Sequence, residues 1–260
     1  MLIFNCTKAA TEFFTVTRKG VKQSFVHAPP NKDIAADGQY LQNDEGKPTL
    51  AFQWVLHAIT VKRKHCLIAM EINTRFSVIL TAMPKGNPDA FIDRFKPRLL
   101  DQLFGFALQS GILKEEQFAI FIDEFMAQTA DIFLCQRSDR SVQTHINDVV
   151  SQFTETVDAS GYVPDNEGEM LHFSSYINRL LRKTKQSRDY TQPDEQMLLF
   201  WLQQFCGFTP EQAAGIKQHF ADLHRSRFSA WNDIPDDVKL PPYTDKIVIL
   251  EDFKAQKGNK

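Results

Sequence analysis

Residues 51–83 read AFQWVLHAIT VKRKHCLIAM EINTRFSVIL TAM, and their pattern decides the fold. Val, Ile, Leu and Phe dominate three runs, which Arg63-Lys64 and Asn73-Thr74 interrupt. β-Branched and aromatic residues between short polar breaks predict three strands, Ala51 to Lys62, His65 to Ile72 and Arg75 to Met83, in an antiparallel meander. The runs are apolar at both alternating sets of positions, so both faces of the sheet are expected to be at least partly covered.

Upstream, Leu2 to Cys6 reads as a strand and Lys8 to Phe14 as a short helix. Residues 27–49 are rich in Pro, Gly, Asn and Asp and read as a long loop. Downstream the period turns helical. Asn87-Pro88 is an N-cap followed by Pro at the first helical position. Pro97 is expected to end one short helix and start the next. Residues 115–126 form another helix, and Asp131 to Arg137 another strand. In the helix at 140–157, Val142, Ile146, Val149, Val150 and Phe153 share one face, and Arg140, Thr144, Asn147, Asp148 and Ser151 the other. Residues 168–184 continue as a helix, with Ile177, Leu180 and Leu181 on one side and Arg179, Arg182 and Lys183 on the other. A polar linker, Thr184 to Pro193, precedes the apolar run Met197 to Leu202. Thr209-Pro210-Glu211-Gln212 starts a last helix with a capping box. The tail carries one β-like run, Lys246 to Leu250.

Strands followed by helices are the α+β signature. The expectation is an antiparallel or mixed sheet of about five strands, built on the 51–83 meander and packed by helices, with a C-terminal helical hairpin. Residues 1–188 would form the core domain, and 189–260 a helical extension and tail packed on it.

Composition bounds the function. Hydrophobic residues are 43% and charged residues 24%, which excludes a disordered chain. The net charge of −2 lacks the basic excess of a generic nucleic-acid binder. The 22 Phe against 5 Tyr and 3 Trp favour buried packing, since Phe has no polar handle. Cys6, Cys66, Cys135 and Cys206 form no Cys-x-x-Cys pair and sit in or beside apolar runs, so they read as buried free thiols. The first residues lack the basic and apolar regions of a signal peptide, and no apolar run approaches about 20 residues. A cytoplasmic, bacterial protein with no membrane role is expected.

The usual chemical motifs do not occur. There is no phosphate-cradling glycine loop, no Gly-x-Ser-x-Gly and no His-Glu-x-x-His. His57 and His65 face each other if their strands pair tightly, but further metal ligands are not in the pattern. No catalytic residue, metal or cofactor is therefore expected. Arg179, Arg182, Lys183, Lys185 and Arg188 form a basic stripe, which Arg137 and Arg140 join if the two helices are neighbours. Such a stripe keeps a helix soluble, contacts phosphate or nucleic acid, or makes structural ion pairs. An Arg179 or Arg140 pair with Asp148 is the favoured form of the last.

Several segments together carry a resemblance. They are the start Met-Leu-Ile-Phe-Asn-Cys-Thr-Lys, the hairpin Ile59 to Ile68, Thr74-Arg75-Phe76-Ser77-Val78-Ile79-Leu80, Arg140-Ser141-Val142 through Asn147-Asp148, and Ile177-Asn178-Arg179-Leu180. In order and spacing the chain resembles, over residues 1–185, the bacterial domain-of-unknown-function 6933 family. The resemblance implies a compact α+β domain and no activity.

Three functions are then open. The leading one is a non-enzymatic interaction or regulatory module, with Met197, Leu198, Phe200 and Trp201 as a partner or self-association surface. The second is nucleic-acid or phosphate-ligand binding through Arg140, Arg179, Arg182, Lys183 and Lys185, with Asn178 as a further candidate ligand-binding residue. The third is an enzyme that uses the face of Arg140, Asn147 and Asp148.

Overall fold

The apolar runs of residues 51–83 pair as the predicted meander in the computed structural model, which describes residues 1–29, 34, 40–42, 48–164, 166–184 and 189–232. In chain order the elements are β1 (Leu2–Cys6), α1 (Lys8–Phe13), β2 (Thr15–Arg18), β3 (Val21–Ser24), β4 (Tyr40–Gln42), β5 (Pro48–Leu50), β6 (Phe52–Val61), β7 (Lys64–Glu71) and β8 (Ser77–Leu80). There follow α2 (Pro88–Gln109), α3 (Phe118–Gln128), β9 (Ile132–Gln136), α4 (Arg140–Ser160), α5 (Glu167–Arg179), α6 (Pro193–Phe205) and α7 (Pro210–Asn232).

Five strands form a mixed sheet in the order β8-β7-β6-β1-β9. β6, β7 and β8 are antiparallel, and β1 runs parallel to both β6 and β9. Lys62 and Arg63, at φ 45° and 66°, make the tight turn between β6 and β7. A second turn of this kind, at Lys19 and Gly20, joins β2 to β3 in a separate two-stranded hairpin that the sequence reading does not foresee.

Both faces of the sheet are covered. On one, Phe4 meets Phe91 and Phe95 of α2 at 4.8 and 4.9 Å between ring centroids, and Trp54 meets Phe95 at 4.9 Å. Phe52 packs on Phe200 and Phe205 of α6. On the other, Val55, Ile68, Met70 and Ile79 share a core with Val142, Ile146, Val149 and Phe153 of α4 and with Met170, Phe173 and Ile177 of α5. The phenylalanine surplus is thus spent on edge-on ring packing, where a quadrupole adds to the buried area.

The helix caps behave as their residues dictate. Asn87 accepts the Ala90 N–H at 3.0 Å, and Asp139 accepts that of Val142 at 2.9 Å. Thr209 and Gln212 form the reciprocal capping box.

Four expectations are corrected. Pro97 does not divide a helix: α2 runs through it. A proline inside a helix costs about 3 kcal/mol, but Phe91, Phe95, Leu99 and Leu103 form one stripe that is buried only if the helix continues. The helix expected over 168–184 ends at Arg179, because Arg182 exchanges two 2.9 Å backbone hydrogen bonds with Thr191. Arg182 and Lys183 therefore do not lie on a helix stripe. His57 pairs with Ile68, and His65 with Thr60, so the imidazoles are not cross-strand neighbours. Finally, Met197, Leu198 and Trp201 are no surface. They are fully buried, and α6 packs on α2, α3 and α5.

The first compact unit runs Met1–Ala213 and includes α6. A second unit is Ala214–Lys260. Lys185, Arg188, the run Lys246 to Leu250 and much of the 27–49 segment lie outside the described residues. Among the described residues, no helix is long and apolar enough to cross a membrane.

Candidate functional site

Three of the segments that carry the family resemblance meet in space: those of Arg75, Ser141 and Asn178. Arg75 follows β7 on a left-handed backbone, φ +64°, which costs a non-glycine residue about 1 kcal/mol or more. That conformation turns its guanidinium to the first turn of α4, where Nη2 donates to Ser141 Oγ at 3.2 Å. Asn178, near the end of α5, clamps the β8 edge: it accepts the Ser77 N–H at 2.7 Å and donates to the Ser77 carbonyl at 2.9 Å. Its amide also donates to Gln102 of α2 at 3.1 Å. At Ser77 the side-chain amide does what a neighbouring strand would do, and it satisfies the start of the β8 edge.

The remaining candidates disperse. Arg182 is 5% exposed, and its Nη1 lies 4.0 Å from Asp148. Arg179 instead lies 3.6 Å from Asp194 and donates to Gln109 at 2.9 Å. Asp194 is buried at the start of α6, and burial pushes its carboxyl up to about 7. Lys183 lies over the Tyr190 ring at 5.7 Å. Arg140 and Asn147 are exposed, and Asn147 accepts from Gln143 at 3.0 Å. Asp148 does bridge to the basic group, but its partner is Arg182 rather than Arg179 or Arg140. His145, half-buried beside it, has Nε2 3.1 Å from the Lys183 carbonyl. Burial first, then Arg182 and Arg75, lower its pKa.

The sequence does not point to the concavity on this face of the sheet. α4 and α5 cover the β6–β7–β8 half of their face. Over the β1–β9 half lies a cavity of about 650 Å³, lined among the described residues by Ile3, Phe25, His27, Phe133, Cys135 and Arg137. Ile3 and Phe133 are register partners, so both point into it from one face. Phe133 is 50% and Phe25 36% exposed. Buried Arg137 borders the cavity, donating from Nε to Asn5 Oδ1 at 2.7 Å and from Nη2 to Gln53 Oε1 at 3.4 Å. The backbone of His27 pairs with Leu134 and Gln136 along the outer edge of β9. The one sequence signal was Phe133 and Cys135 alternating on a strand. Which face of that strand would stay open depended on where the helices lie.

Among the described residues no group of three or more His, Cys, Asp or Glu is placed to hold a metal. Burial pushes the Cys66 thiol up to about 11, and Cys6 higher still. No curated protein matches the chain. The family model for the domain of unknown function DUF6933 does match, over residues 3–196, and thus spans the sheet, α1 to α5 and the first residues of α6. The chain belongs to the DUF6933 family.

Proposed function

We propose that this protein is a non-enzymatic interaction module that takes a small apolar molecule into the cleft over β1 and β9, in a bacterial cytoplasm. The observation that carries this reading is the cavity itself. At about 650 Å³ it falls in the range of small-molecule sites, and its walls are apolar with a few polar groups at the margin. Two half-exposed phenylalanines at such a place are poorly explained by folding alone, because burying each would stabilise the chain by about 2 kcal/mol. Four free cysteines suit a reducing compartment.

The test is a titration of the native chain with an environment-sensitive apolar dye. One saturable site is expected, with Phe133→Asp weakening it about tenfold or more while leaving the melting curve in place. A wild-type protein that gives no saturable enhancement, or a Phe133→Asp variant that binds as well, removes the proposal.

A further inference from the structure

Residues 13–29 hold Arg18, Lys19 and Lys22 and no Asp or Glu. Residues 57–70 hold Lys62, Arg63 and Lys64, and residues 76–88 hold Lys85, again without a carboxylate. The three stretches meet at one end of the sheet, where β1, β6 and β8 all finish. Gly86 donates its N–H to the Phe13 carbonyl at 3.0 Å. It lies so close to β2 that an added Cβ would come within 2.1 Å of Val16 Cγ1. Met83 donates to the His65 carbonyl at 2.9 Å, and the Phe13 and His65 rings meet at 5.6 Å. The turns at Lys19-Gly20 and Lys62-Arg63 each lie three residues, or about 10 Å, from this junction.

The charge at this end is open to solvent. Arg18, Lys19, Lys22, Arg63 and Lys85 are exposed, and none of them joins an ion pair among the described residues. Lys62 is engaged, donating to the Gly161 carbonyl at 2.7 Å at the end of α4. The carboxylates of the adjoining helices have other roles. Glu12 of α1 stands 3.9 Å from Lys8. Asp89 sits in the first turn of α2, where negative charge suits the helix dipole, and Asp93 is exposed one turn on. Folding does not ask for cations at the turns. Lys19, Lys62 and Arg63 take φ of 50°, 45° and 66°, a left-handed region that Asn and Gly occupy with less strain.

We propose that this basic end of the sheet, centred on the β2–β3 ribbon, binds the phosphates of duplex DNA. All of β3 is exposed, as are Thr17 and Arg18 of β2, and a two-stranded ribbon is one of the elements that a DNA major groove admits. The ribbon from Thr15 to Ser24 has no aromatic residue on which single-stranded bases would stack. Val21 is its one exposed apolar side chain, too little to anchor it in a bilayer. The net charge of −2 conceals the patch because the acidic residues lie elsewhere in the chain. Nothing here rests on the apolar cleft, and the two readings stand or fall separately.

The experiment follows the anisotropy of a fluorescein-labelled duplex of about 20 base pairs, titrated with the full chain at roughly 50 to 200 mM NaCl. Saturable binding is expected, weakening about a hundredfold or more over that range, as four or five phosphate contacts require. The triple variant Arg18→Gln, Lys19→Asn, Lys22→Gln should melt like wild type, since the side chains are exposed and Asn suits the turn. It should bind about tenfold or more weakly at the lowest salt, with the log–log salt slope smaller by about 3. Lys85→Gln should weaken binding, whereas Lys114→Gln should not. The latter removes an equal charge beyond the far end of the 22-residue α2, about 30 Å away. The same titration is run with one strand of the duplex and with phosphatidylglycerol vesicles. No duplex binding at the lowest salt, wild-type affinity in the triple variant, or equal losses from Lys85→Gln and Lys114→Gln overturn the proposal. So does tighter binding of the single strand or of the vesicles than of the duplex.

Discussion

Replacing Asn178 by leucine keeps the side-chain volume and removes the clamp on the sheet edge. The wild-type amide makes three buried hydrogen bonds, at 2.7 Å from the Ser77 N–H, 2.9 Å to the Ser77 carbonyl and 3.1 Å to Gln102 Oε1. Ser77 is 0% exposed, so water does not replace the lost partner in the folded chain. Each polar group left unmet costs about 1–3 kcal/mol. Two backbone groups and one glutamine oxygen then sum to about 4 kcal/mol, a large part of the 5–15 kcal/mol that typically holds a domain together. For a domain of this size the melting temperature should fall by about 8–16 °C. Urea unfolding followed by the fluorescence of buried Trp54 and Trp201 measures this directly. The midpoint should drop with the slope unchanged. Asn178→Asp should be no milder, since it loses the donors and buries a charge. A loss below about 1 kcal/mol for the leucine variant would refute the reasoning. It would mean that β8 relaxes to satisfy its own edge.

Trp201→Ala tests whether α6 belongs to the core. Its ring is fully buried, 5.5 Å from Phe104 and 5.9 Å from Phe121, and truncation should cost about 3–5 kcal/mol by urea unfolding; unchanged stability would make the helix an appendage. Asp194 gives a pH dependence of definite sign. Its folded pKa of about 7 lies above the unfolded 3.8, so the folded state holds the proton more tightly. Stability must then fall as pH rises between these values, by up to about 4 kcal/mol. Asp194→Asn should flatten that decline and leave the variant the more stable protein at pH 8, and parallel pH profiles for the two proteins would show that Asp194 titrates normally.

Much of the fold was legible because local rules decided it. Period two and β-branched runs marked the meander, and the α4 face of Val142, Ile146, Val149 and Phe153 followed from period 3.6. Caps at Asn87 and Thr209 were readable from side-chain chemistry alone. At Pro97 a local breaker rule, worth about 3 kcal/mol, is outweighed by a continuous buried stripe worth more. The β2–β3 hairpin is not legible because β3 is wholly exposed and β2 half so, both are mostly polar, and only a turn with two left-handed residues defines it.

The site residues were legible as segments and not as a constellation. Arg75, Ser141, Asn178 and Arg182 lie in or beside the segments that carry the resemblance, but nothing in the chain order says which arginine meets which partner. Asp148 meets Arg182 because α5 ends at Arg179 and the chain then turns to pair with Thr191. The parallel placement of β1 between β6 and β9 was equally hidden, since alternation along a strand carries no direction. Period, propensity and capping act over a few residues, so the sequence by itself determined the elements and their buried faces. Long-range packing chose the strand order, set Asn178 on the backbone of Ser77, covered the apolar run of α6, and, among the described residues, left the β1–β9 face open. Those choices belong to the tertiary structure because they depend on which surfaces meet.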